Sequence, residues 1–301
     1  MKAPALLRVE KLCKTYTQSS GWFGRQRHSV HAVSDVSFEV AVGETLGLVG
    51  ESGSGKSTVG RLIMQLEAPD SGNVFFDGLS LADVSSAQLK NVRRQMQIVF
   101  QDPYAALNPR MTVGNFVAEP LIVHNVLTDK AAIEARVAEL FSLVGLDPKF
   151  MRRYPHEFSG GQRQRVCIAR AIALQPRVIV ADEPITALDV SIQAQIVNLF
   201  QDLQQKLGIA YLFIGHDLSM VGYLCHRVAV MLRGRIVEIG TKKDIFENPQ
   251  HPYTRSLLSA VPIPDPRSER QRKRVPFDPA TLRPADEQRV TEVAPGHFVL
   301  A

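Results

Sequence analysis

Cysteine is scarce in this chain. Only Cys13, Cys167 and Cys225 occur among 301 residues, odd in number and in no CxxC or His/Cys spacing. That excludes a disulfide framework and a cysteine-built metal site, and it fits a reducing compartment. Long apolar runs are missing as well. No window approaches the roughly 18 uninterrupted apolar residues of a membrane-spanning helix, so other chains would have to supply any bilayer crossing. The opening MKAPALLRVEK has too short an apolar stretch to read as a secretory signal. The expected location is cytosolic. Internal repeats and low-complexity tracts are also lacking.

The rest of the composition is that of an ordinary globular protein, 45% apolar and 22% charged. The chain is long enough for one large domain or two modest ones with a proper core. A net charge of +5 suits nucleic acid, an anionic membrane surface or an anionic ligand, and distinguishes none of them from simple solubility.

The first eighty residues alternate as strands do, in LLRVEKL, HAVSDVSFEV, ETLGLVG and NVFFDG, the last with an Asp-Gly turn. The polar QSSGWFGRQRHS between the first two reads as an exposed loop. After ETLGLVG the period becomes helical, with Val59, Leu62, Ile63 and Leu66 on one face before Pro69. Residues 85 to 175 are mainly helical; AAIEARVAELFSLVGL puts Ile133, Val137, Leu140 and Phe141 together, with Gly145 as the stop. RVIVADEP and AYLFIGHD read as buried parallel strands. A long helix between them carries Ile192, Ile196, Leu199, Phe200, Leu203 and Leu207 on one face and ends at Gly208. VAVMLRGRIVEIG reads as a hairpin around Arg233-Gly234. Beyond about 250, proline and arginine dominate and apolar periodicity fades, which predicts a partly irregular extension. Its RSERQRKR run could bind an anionic surface, but a solvated tail is the preferred reading.

Two glycine-bearing stretches could hold phosphate. Gly50, Glu51, Ser52, Gly53, Ser54, Gly55, Lys56 and Ser57 complete GxxxxGK[ST] between an apolar strand and an amphipathic helix, with Thr58 following. Glycines let successive N–H groups turn inward at a helix N-terminus whose dipole favours anions. Lys56 would reach the β- and γ-phosphates and Ser57 would hold Mg²⁺. The apolar run VIVADE then delivers Asp182 and Glu183 at the C-terminal end of a strand, where ligands gather in parallel sheets. Asp182 would complete the Mg²⁺ shell and Glu183 would polarise the attacking water. The second glycine stretch is FSGGQRQR, starting at Phe158, with a helical pattern after it.

The order of these features is specific. A phosphate loop is followed by Gln101 after the apolar Ile98-Val99-Phe100, then by SGGQ, the acidic strand, and His216 after another strand. From about residue 6 to 260 this resembles the nucleotide-binding subunits of ATP-binding cassette (ABC) transporters. The resemblance implies an α/β P-loop NTPase fold with a mixed sheet, an antiparallel β subdomain and a helical subdomain. It also implies an ATP hydrolase. By the same resemblance, Tyr16 stacks on adenine, and Gln101 links the Mg²⁺ and water site to the membrane subunits. Ser159, Gly160, Gly161 and Gln162 bind the γ-phosphate held by a partner subunit. Asp189 lies in the loop crossing the dimer interface, and His216 contacts the γ-phosphate and orients the catalytic water.

HPYTRSLLSAVPIPDP is similar to the C-terminal segment of importers of dipeptides and oligopeptides, a group that includes glutathione and nickel importers. The resemblance implies a nucleotide-binding domain over 1–250, its helical part about 85–175, and an importer-type extension over 251–301. It implies ATP and Mg²⁺, and no iron–sulfur cluster is expected, because no cysteine follows Cys225. The implied partners are a second ABC ATPase, a sister chain rather than a second copy, with two permease subunits and an extracytoplasmic solute-binding protein. Nucleic acid is not expected, and the location narrows to the cytoplasmic face of a bacterial inner membrane, held peripherally. The alternative is a soluble ABC-type ATPase acting on DNA or ribosomes. A single cassette, no long coiled coil and no zinc pairs weigh against it. A P-loop kinase or GTPase would not need SGGQ ahead of the acidic strand, and a GTPase would want an NKxD, which is absent.

Overall fold

The computed structural model describes residues 5–20, 26–186, 188–262, 272–279 and 287–301. The chain opens with β1 (Ala5–Ser20), β2 (Gln26–Ala41), β3 (Thr45–Val49), α1 (Lys56–Ile63), β4 (Ser71–Phe76) and β5 (Leu79–Ser80). Then come α2 (Ser86–Gln95), β6 (Met96–Val99), α3 (Pro103–Ala106), α4 (Val113–Val123), α5 (Lys130–Leu143) and α6 (Gly160–Ile172). From there β7 (Val178–Asp182), α7 (Val190–Leu207), β8 (Ala210–Gly215), α8 (Leu218–Leu224) and β9 (Arg227–Leu232) alternate. The chain closes with β10 (Arg235–Thr241), α9 (Lys242–Glu247), α10 (Pro252–Ser259), β11 (Val290–Ala294) and β12 (His297–Leu300). These elements form two compact units, one of residues 5–7, 40–44 and 76–212, the other of residues 8–39, 45–75 and 213–301.

The second unit contains strands in the order β11-β12-β10-β9-β3. They are mixed in direction, as expected. β3 pairs parallel with β9, Val49 beside Val230, whereas β10 is antiparallel to both β9 and β12. All five residues of β3 are buried, as a parallel strand covered on both faces requires. The predicted hairpin turns at Arg233 (φ 46°) and Gly234 (φ 84°), the two left-handed positions of a type I′ turn. Strands β2, β1 and β4 are neighbours in that order.

Three sequence expectations change here. The presumed loop over 18–29 is largely strand: β1 continues to Ser20 and β2 begins at Gln26, while 21–25 lie outside the described residues. Polar residues can extend a strand pair, because ladder hydrogen bonds need no buried face. Leu66 does not share the α1 face. The helix stops at Ile63, Gln65 turns left-handed (φ 52°), and Leu66 is 53% exposed. The extension past 250 is also more regular than its composition suggests. Pro252 opens α10, and β11 and β12 form a hairpin that pairs Val299 with Glu238 and Phe298 with Ile239. Of the RSERQRKR run, 267–271 lie outside the described residues.

In the first unit β6 and β7 run parallel, Met96 beside Val178 and Val99 beside Ala181. β7 is buried throughout. On α5, Val137, Leu140 and Phe141 face inward, and the chain turns at Gly145 (φ 72°). On α7, Ile196, Leu199, Phe200 and Leu203 are buried and Gly208 (φ 67°) caps the helix, but Leu207 in the last turn is exposed. Phe200 meets Tyr211 edge to face at 5.3 Å. Asp77 (φ 50°) and Gly78 make the expected turn, and Asp77 accepts two hydrogen bonds from the Arg177 guanidinium at 2.5 and 3.1 Å. No helix among the described residues is long and apolar enough to cross a membrane.

Candidate active site

The phosphate loop leaves β3 against the neighbouring β9. A Cβ on Gly50 would stand 2.2 Å from the carbonyl oxygen of Met231, and one on Gly55 (φ 103°) would stand 2.0 Å from that of Ala32. Only glycine fits such approaches without moving backbone. Lys56 starts α1 and is 4% exposed. Its ammonium donates to the carbonyls of Gly50 and Glu51, both at 2.8 Å, and to Ser54 Oγ at 3.3 Å. A buried cation must be paired, and here the loop wraps its own lysine. Ser57 and Thr58 follow in the first turn of α1.

Tyr16 is brought to the same place. Its hydroxyl bonds the Glu67 carboxylate and also Thr58, next to Ser57. Partial burial, and then Glu67, push its ionisation up, so it stays a neutral donor. The ring remains partly exposed. His216 is exposed just past the fully buried β8, and Asp217 beside it caps α8 by accepting from Ser219 N at 2.8 Å.

In the first unit, strand register sets the acidic end. Because Val99 pairs with Ala181, the residues two further on, Gln101 and Glu183, emerge side by side. Gln101 Nε2 donates to Glu183 Oε2 at 3.0 Å, and Thr186 Oγ1 donates to the same oxygen at 3.1 Å. Glu183 has φ 45°, in the left-handed region that side chains rarely occupy, and such strain gathers at functional sites. Asp182, one residue before, is buried at the end of β7. Thr186 escaped sequence reading, although its place three residues after Glu183 in a turn was the available signal.

The SGGQ stretch is a helix start. Ser159 caps α6: Gln162 N donates to Ser159 Oγ at 3.4 Å and Ser159 N donates to Gln162 Oε1 at 3.0 Å. This reciprocal capping box leaves the serine's own hydroxyl proton to give elsewhere. Arg163, which sequence reading passed over, anchors the turn. Its Nε donates to the Pro155 carbonyl at 2.7 Å, and its guanidinium lies 3.8 Å from the Tyr104 ring centroid. The glycines are there for space. A Cβ on Gly161 would meet Ile192 Cγ2 at 2.4 Å, whereas one on Gly160 would reach Leu188 at only 3.4 Å. The SGGQ turn thus packs on the segment holding Asp189. Asp189 begins α7 with its side chain exposed and capping no backbone group, while Gln193 Nε2 donates to the Ile185 and Leu188 carbonyls at 3.2 and 3.0 Å. Gly161→Ala should therefore cost about 1–3 kcal/mol of stability by overpacking, and Gly160→Ala far less. Thermal unfolding of the two variants checks this, and equal melting temperatures would count against the close-packing explanation.

Residues 33–186, just over half the chain, match the ABC transporter family, and 237–286 match the oligopeptide/dipeptide transporter C-terminal region. The chain belongs to the ABC transporter family. The glutathione import ATP-binding protein GsiA of Pectobacterium atrosepticum is 53% identical to this ABC chain over 99% of its length and 48% of the relative's. The chain thus spans about half the length of that relative. The oligopeptide transport ATP-binding protein OppF of Streptococcus mutans is 53% identical, covering 91% of this chain and 89% of the relative. Among solved structures, the dimeric ATP-binding cassette MJ0796 bound to ADP and Pi superposes with TM-score 0.68 at 29% identity, over 78% of this chain and 98% of its own. The cbiO1 protein of Clostridium perfringens, part of the ABC transporter complex cbiONQ, superposes with TM-score 0.69 at 30% identity, over 81% of this chain and 91% of its own. These neighbours share the ABC-type P-loop NTPase fold expected from sequence.

Proposed function

We propose that the chain is an ATP-hydrolysing subunit that energises import of peptides or related small solutes through a membrane ABC transporter. The observation that carries this reading is the lysine-centred phosphate loop of GxxxxGKS sequence, in a chain whose C-terminal region matches oligopeptide and dipeptide transporters. Amides turned inward by glycine and a buried ammonium suit a triphosphate. Tyr16, whose hydroxyl is joined to Thr58 beside the loop, would stack its ring on the base. Hydroxyl, carboxylate and amide oxygens are the hard donors Mg²⁺ takes beside phosphate; Ser57, Asp182 and Gln101 would hold it. When bound, Mg²⁺ would offset the negative charge of the phosphates.

Glu183 takes a proton from water as the water oxygen bonds the γ-phosphorus and the bond to the ADP oxygen breaks. His216 orients that water and contacts the γ-phosphate. Ser159 through Gln162 and Asp189 face the nucleotide of a second ATPase, a sister chain in preference to a second copy. The nucleotide-binding domain spans 1–250 with a helical part at about 85–175, and 251–301 is the importer-type extension. The chain sits peripherally at the cytoplasmic face of a bacterial inner membrane, with two permeases and a solute-binding protein. Reconstituted with those subunits in proteoliposomes, it should support uptake of labelled oligopeptide that stops when ATP is omitted or Mg²⁺ is chelated. Uptake that continues without this chain would refute the assignment.

A further inference from the structure

A line of hydrogen bonds joins the C-terminal region to the phosphate loop. Glu238 on β10 is fully buried. Its Oε1 accepts from Gln250 N at 2.7 Å and faces His297 Nε2 on β12 at 2.8 Å, and its Oε2 accepts from His251 N at 3.0 Å. A carboxylate so enclosed needs these partners, and in meeting that need it fixes the turn that enters α10. His251 Nδ1 then accepts from Tyr253 N at 3.1 Å, capping the helix. Tyr253 is 1% exposed and meets the Phe277 ring edge to face at 5.3 Å. Its hydroxyl oxygen accepts from the backbone N–H of Glu51 at 3.1 Å.

We propose that Tyr253 is a positioning residue for the phosphate loop, its hydroxyl holding the Glu51 N–H so that the following amides keep the shape that receives triphosphate. This rests on the ATP-binding reading above. Glycine-rich loops lose more conformational freedom on ordering than other segments, so a fixed anchor lowers the cost of binding by preorganisation. Gly53 and Gly55 both stand at positive φ. The outer side of Glu51–Ser54 also borders a cavity of about 280 Å³, lined with Tyr253, Ser256 and Phe277. Side-chain packing there leaves room, and the hydroxyl is a fixed point. The segment matching the oligopeptide/dipeptide C-terminal region thereby acts on the nucleotide site of its own chain.

The test compares Tyr253→Phe, which removes only the oxygen, with Phe277→Leu, which loosens packing and keeps it. Two readings are taken on the full chain: amide hydrogen exchange at Glu51 without nucleotide, and affinity for a fluorescent ATP analogue well below the melting temperature. Tyr253→Phe should speed exchange at Glu51 and weaken ATP binding roughly threefold to tenfold, the effect of one neutral hydrogen bond. The KM for ATP should rise by a similar factor with kcat kept. Phe277→Leu should lower the melting temperature while leaving ATP affinity near wild type. Unchanged exchange and affinity in Tyr253→Phe, or an equal loss of affinity in Phe277→Leu, overturns the proposal. Faster exchange in a wild-type-like background that binds no ATP at all overturns the ATP-binding reading instead.

Discussion

Glu183→Gln should bind ATP nearly as wild type does and turn it over about 10²–10⁴ times more slowly, the range supplied by a positioned general base. The substitution is conservative in this setting. Gln101 and Thr186 both donate to one oxygen of the Glu183 carboxylate, and an amide can put its carbonyl oxygen there and keep both bonds. What it cannot do is accept a proton from water. Glutamine has the same Cβ and Cγ as glutamate, so the φ of 45° at this position costs it no more. Steady-state phosphate release beside a nucleotide-binding titration separates the two effects. Wild-type turnover in Glu183→Gln would move the base elsewhere.

Lys56→Ala should abolish measurable ATP binding at ordinary nucleotide concentrations. A hydrogen bond to a charged group is worth about 1.5–3 kcal/mol, so losing an ammonium proposed to serve two phosphates should weaken binding on the order of a hundredfold. The substitution also removes the three hydrogen bonds by which Lys56 shapes the loop around Gly50, Glu51 and Ser54. Calorimetric titration gives the affinity, and circular dichroism shows that the fold persists. A folded Lys56→Ala protein with unchanged affinity would exclude this loop as the nucleotide site.

The difference between what sequence disclosed and what it hid has a physical basis. The phosphate loop was legible because its constraints are local: Gly50 and Gly55 leave no room for a side chain, and Lys56 acts within six residues of its partners. The buried strands β3, β7 and β8 were legible as continuous apolar runs. Gln101 and Glu183 each stood out, but their hydrogen bond depends on the register of β6 against β7, which the separate segments do not contain. Tyr253 and Glu51 are further apart still, and a backbone N–H bonded to a phenol leaves no compositional trace. The hairpin of β11 and β12 went unread because β11 is exposed along its length and gives no alternation. Leu66 misled in the opposite sense, completing a helical period after the helix had ended at Ile63.

The capping box at Ser159 and the lysine at the phosphate loop are read here as serving two different nucleotides, and Ser159→Arg tests that division. Affinity of the isolated chain for ATP and its ATP-driven dimerisation on a Glu183→Gln background are measured together, the latter by sedimentation velocity. Ser159→Arg should leave ATP affinity at the wild-type value and prevent the dimer. If it instead removes ATP binding as Lys56→Ala does, or leaves the ATP-driven dimer intact, the SGGQ turn does not act on a partner's nucleotide.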